Sequence, residues 1–119
     1  MSNFRNLLVW QKAILLTTAV YQSTNQFPSY EIFGLTSQIR RASISIASNI
    51  AEGFGRDSKK EYLRFLNIAI SSLFELQTQL EIAKNIDYLK QPEFNILYEN
   101  SRELERMLVS FILKIKERN

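Results

Sequence analysis

Histidine and cysteine are both absent from the 119 residues. Without cysteine there is no disulfide, no thiolate nucleophile and no thiolate metal site, and the chain suits a reducing cytoplasm. Without histidine the commonest transition-metal ligand is missing, as is the one side chain that titrates near neutrality unperturbed. Proline occurs twice and glycine three times, too few for the tight turns of an all-β or doubly wound fold. Long apolar runs are lacking too: none approaches the roughly 20 residues of a membrane span. Leu7–Trp10 is interrupted by Gln11 and Lys12, and the next run stops at Leu16, so neither a membrane helix nor a signal peptide is expected.

What remains is 45% hydrophobic and carries a net charge of +3. A chain this long makes one core, so residues 1–119 are expected to form a single domain. The positive excess has two sources. Residues 1–30 hold Arg5 and Lys12 with no acid, and residues 53–64 hold four bases against Asp57 and Glu61, whereas residues 86–119 balance six of each sign. A mild excess of this kind suits a polyanionic partner and equally suits plain solubility.

The hydrophobic rhythm is helical throughout. A first helix is expected over Leu7–Thr24, with Leu7, Trp10, Ile14, Val20 and Tyr21 inward and Leu8, Leu15 and Leu16 as surplus apolar surface. Pro28 blocks its continuation, and Ser29 opens a short turn. A second helix is expected over Leu35–Glu52, with the stripe Leu35, Ile39, Ala42, Ile46 and Ile50. Gly53 and Gly55 should close it, either one in the left-handed conformation. Ser58 and Glu61 have the spacing of a capping box before a third helix to Asn85. There Tyr62, Leu66, Ala69, Leu73, Leu76, Leu80 and Ala83 alternate by four and three, the knob spacing of bundles. A fourth helix from Pro92 to Lys116 carries Phe94, Leu97, Leu104, Leu108, Phe111 and Ile115. Short connections then predict an all-α, antiparallel up-down-up-down four-helix bundle.

No catalytic constellation emerges. A serine nucleophile needs a base, and Ser71 and Ser72 beside Glu75 read better as helix serines bonded to the preceding turn. Gly53-Phe54-Gly55-Arg56 lacks the preceding strand and the lysine of a phosphate loop. Glu99 and Glu103 lack the Glu-x-x-His partners of a di-iron bundle. The chain therefore asks for no cofactor and no metal, and a non-enzyme is expected.

Two polar constellations do stand out. Arg40, Arg41, Arg56, Lys59, Lys60 and Arg64 form a basic set able to neutralise nucleic-acid phosphates, or to serve as a solvated, salt-bridged face. Along the second helix, Gln38, Arg41, Ser45, Asn49 and Glu52 follow one another at helical spacing. Such a seam either borders the core or, with Glu75 or Gln79 opposite, makes a hydrogen-bonded network that fixes helix register or a subunit contact.

The block Gly34-Leu35-Thr36-Ser37-Gln38-Ile39-Arg40-Arg41-Ala42, continuing through Ser45-Ile46 to Asn49-Ile50-Ala51-Glu52-Gly53, resembles the bacterial four-helix-bundle proteins encoded in intervening sequences of 23S rRNA genes, once labelled S23 ribosomal proteins. Trp10-Gln11-Lys12-Ala13, Phe27-Pro28, Ser58, Lys60, Glu61, Phe65 and the run Ala69, Ser72, Leu73, Glu75, Leu76, Gln79, Leu80 fit the same pattern. Ala47 departs from it, where relatives often carry proline, and should relax a kink in the second helix. The resemblance implies a homopentamer. It also implies a relation to the accessory proteins of diversity-generating retroelements, positively charged barrels that help a reverse transcriptase and its RNA. On that analogy the six basic residues would face rRNA or another nucleic acid.

Overall fold

The alternation of four and three along residues 62–83 places one apolar side chain under each turn of a helix, and those side chains are where the bundle closes. Leu66, Ala69, Leu73, Leu76, Leu80 and Ala83 are all fully buried. The computed structural model describes residues 3–118 and contains four α-helices: α1 (Leu8–Thr24), α2 (Leu35–Phe54), α3 (Lys59–Asn85) and α4 (Gln91–Glu117). Short 3-10 turns at Phe4–Asn6 and Ser29–Glu31 precede α1 and α2. Each helix packs against two neighbours, α1 on α2 and α4, α3 on α2 and α4. Successive helices run antiparallel: Thr24 meets Arg40 and Thr17 meets Ser43 between α1 and α2, Gly53 meets Phe65 and Ser45 meets Ser72 between α2 and α3, and Lys84 meets Phe94 and Gln77 meets Glu105 between α3 and α4. The body measures 48 × 24 × 23 Å, about one 27-residue helix long.

The ends of the helices follow local chemistry. Ser58 Oγ accepts the Glu61 amide at 3.1 Å and caps α3. The reciprocal arm of the expected capping box is not made, because the Glu61 carboxylate is held by Arg64. α2 has Gly34 at its N-cap, so no side chain there can cap it. Glu31 does so instead, its Oε1 accepting the Leu35 amide at 3.1 Å while Oε2 accepts the Tyr88 hydroxyl at 2.7 Å. One carboxylate thus joins the α1–α2 connection to the α3–α4 turn, and both bonds hold Glu31 below the usual carboxylate range.

Two further expectations need correction. Neither Gly53 nor Gly55 adopts a left-handed conformation: among the described residues no glycine has positive φ, and α2 continues through Gly53 to Phe54. Gly53 is buried because α3 crosses tightly there, and a β-carbon would lie 2.9 Å from Phe65 Cβ and 3.2 Å from the Tyr62 carbonyl oxygen. The inward face of α1 is also different. Val9, Ala13, Leu16 and Val20 are buried, while Ile14 and Tyr21 are exposed and Leu16, expected as surplus, is core. α1 is apolar on several sides, so periodicity alone does not select a face. Small Ala13, with no exposed surface at all, lets the neighbouring helices approach.

Candidate nucleic-acid interface

The basic set divides into two groups along α2. Arg40 and Arg41 lie in its first half, and Arg56, Lys59, Lys60 and Arg64 surround the α2–α3 junction. Fifteen helical steps put the groups about 22 Å apart.

Arg40 is engaged in packing. Its Nε donates to Thr24 Oγ1 at 2.9 Å and its Nη2 to Asn25 Oδ1 at 3.1 Å, and the guanidinium lies 4.5 Å from the Tyr21 ring centroid. These contacts fasten the end of α1 to α2. Arg41 points to the opposite edge of α2, is exposed, and has no ion pair among the described residues.

At the junction the cations are held in place by an aromatic ring. Arg56 and Arg64 stack on Phe65, their guanidinium carbons 4.7 and 4.5 Å from its centroid. Arg56 also pairs with Glu52 at 2.8 Å and Arg64 with both oxygens of Glu61 at 3.0 and 3.1 Å. Lys59 donates to the carbonyls of Lys116 and Arg118, so its charge sits on the C-terminal end of α4, where a cation is favoured. Lys60 is exposed and has no ion pair among the described residues. The hydrogen bonds from Arg64 hold Glu61 below the usual carboxylate range, and the charges of Arg64, Arg56 and Lys60 act in the same direction. The site is therefore an exposed ridge of four cations around three acids, Glu52, Asp57 and Glu61. Its ion pairs lie at the surface, where solvent screening leaves each of them weak.

The polar seam resolves into parts. Asn49 Nδ2 donates to the Ser45 carbonyl and hydroxyl at 2.8 and 3.0 Å, and Ser45 shares a 2.8 Å hydroxyl bond with buried Ser72 on α3. Gln38, Arg41, Ser45 and Glu75 line one shallow recess between α2 and α3, without a salt bridge between Arg41 and Glu75. Glu52 turns away to Arg56. Gln79 is 6% exposed, and its Oε1 has no partner among the described residues. The seam thus contains a three-residue bridge between helices, flanked by polar groups that remain open.

Phe65 as the support for two cations, and Arg40 and Lys59 as links between helices, are not legible in the sequence. The i,i+1 pair Arg64-Phe65 gave no periodic signal for stacking, and the carbonyls that receive Lys59 lie more than fifty residues away.

A family model described as 23S rRNA-intervening sequence protein matches residues 5–110. No curated protein matches the chain. Among solved structures, a protein with unknown function from Bacteroides thetaiotaomicron, assigned to the S23 ribosomal protein family, is similar to this chain. Its TM-score is 0.80 at 24% sequence identity, covering 88% of this chain and 98% of that one. At that identity the likeness establishes the fold.

Proposed function

This chain belongs to the 23S rRNA-intervening sequence protein family, and from that premise we propose that it is a non-enzymatic helical bundle that assembles as a homopentamer and grips structured RNA through phosphate contacts. The observation that carries the reading is the exposed cationic ridge of Arg56, Lys59, Lys60 and Arg64 at the α2–α3 junction. Arg41 extends it along α2, and Arg40 contributes through packing more than through contact. In a closed ring, symmetry repeats one modest ridge into a positive belt. Such a belt positions RNA without reading its sequence.

Filter binding of rRNA fragments tests the reading. Four phosphate contacts per bound protomer predict about a hundredfold loss of affinity between roughly 50 and 200 mM salt. Lys60→Glu should weaken binding without altering the melt, since Lys60 has no structural partner. Absence of affinity at low salt, or affinity indifferent to salt, overturns RNA binding. Sedimentation equilibrium giving a monomer at micromolar concentration overturns assembly. A second reading, a structural or protein-interaction module without nucleic acid, is favoured by Leu8 and Leu15, which are 70% and 65% exposed on α1. Pull-downs with and without nuclease separate the two.

A further inference from the structure

A groove lies between the start of α1 and the last turns of α4, on the α1–α4 side of the bundle and at the same end as the cationic ridge, whose Lys59 reaches the last turn of α4. Leu7, Leu8, Met107 and Phe111 contribute its apolar surface, and Arg106 and Lys114 contribute its charge. Among the described residues no acidic one lines it. Neither Arg106 nor Lys114 has an ion pair among the described residues, although the acids Glu103 and Glu105 on the same helix are both paired elsewhere. Leu8 stands mostly in solvent at the lip, while Val9 beside it is core. About one turn further along both helices, the Lys12–Glu103 bridge ties α1 to α4 at 3.2 Å.

An apolar floor between two helices, flanked by two cations and no anion, specifies its occupant by complementarity. A small anion would find the cations but nothing to cover the floor. A nucleic acid would likewise leave Leu8, Met107 and Phe111 against its charged backbone. A β-strand cannot be added, because the backbone groups here are bonded within helices. We propose that this groove docks an amphipathic helix of a partner protein whose apolar stripe covers Leu8, Met107 and Phe111 and whose carboxylates meet Arg106 and Lys114. The two cations are eight residues apart on α4, about 12 Å along its axis, which matches carboxylates two turns apart on the incoming helix.

The test uses the full chain and two synthetic helical peptides with the same leucine stripe, one flanked by Glu and the other by Lys, read by fluorescence anisotropy. The Glu peptide should bind, and its Lys twin should bind at least about tenfold more weakly. Arg106→Glu with Lys114→Glu should invert that preference. Leu8→Ser, at an exposed position that the fold does not need, should weaken the Glu peptide while circular dichroism stays unchanged. Failure of both peptides to bind, or equal binding of both, overturns the proposal. So does displacement of the Glu peptide by an rRNA fragment, which would make nucleic acid the occupant. Dissociation of a self-assembled species by Leu8→Ser would also overturn it, by making a second copy the occupant. RNA binding through Lys60 is measured separately and does not depend on the result.

Discussion

Replacing Gly53 by alanine adds a single methyl group where α2 and α3 touch, and two opposing effects decide its consequence. Alanine is favoured over glycine inside a helix by about 1 kcal/mol. Against that, the new carbon would lie 2.9 Å from Phe65 Cβ, 3.0 Å from a Tyr62 ring carbon and 3.2 Å from the Tyr62 carbonyl oxygen. Two of these three atoms are fixed by the α3 backbone and cannot rotate aside. Overpacking of this kind costs about 1–3 kcal/mol, and the rigidity of the neighbours places this site in the upper part of that range. Gly53→Ala should therefore lose about 1–2 kcal/mol net, or several degrees in Tm for a chain of this size. Gly55→Ala is the control, two residues away. Gly55 has φ −81°, and its β-carbon would meet nothing nearer than 3.7 Å. That variant should be neutral or gain about 0.4–1 kcal/mol by restricting the unfolded chain. Urea melts followed by circular dichroism give both values. A Gly53→Ala protein as stable as the parent, or a Gly55→Ala protein equally damaged, would show that close helix approach is not what Gly53 provides.

Arg40→Ala should cost about 1–2 kcal/mol, because it removes a hydrogen bond to buried Thr24 and the stack on Tyr21. Arg41→Ala, with no such partners, should stay within about 0.5 kcal/mol, and equal losses in chemical denaturation would contradict the assigned roles. Glu31 has a lowered pKa when folded, owing to the Leu35 amide and then the Tyr88 hydroxyl. Its contribution to stability is therefore complete above the ordinary value of 4.5 and is lost as pH falls through the lower folded value. The Tm difference between the parent and Glu31→Gln should shrink with acidification below that value, and a constant difference from about pH 6 to 3 would refute the carboxylate clamp.

The sequence by itself determined the elements and their order. Unbroken spacing by four and three along α3 and α4 gives one inward stripe per helix whatever the neighbours are, so Leu66–Ala83 and Leu97–Leu108 were legible directly. Ser58 and Pro92 act within a turn of themselves, and local chemistry of that kind reads well. On α1 the pattern does not choose, since several faces are apolar; packing between α2 and α4 selected Val9, Ala13, Leu16 and Val20. The glycines depart from expectation for a related reason. A glycine allows either a turn or a close approach, and the position of the opposing helix, not the residue, decides which. The basic set was legible as charge but not as arrangement. Phe65 gathers Arg56 and Arg64, Lys59 reaches the end of α4, and Arg40 turns into packing against α1, all through contacts that exist only once the helices are assembled.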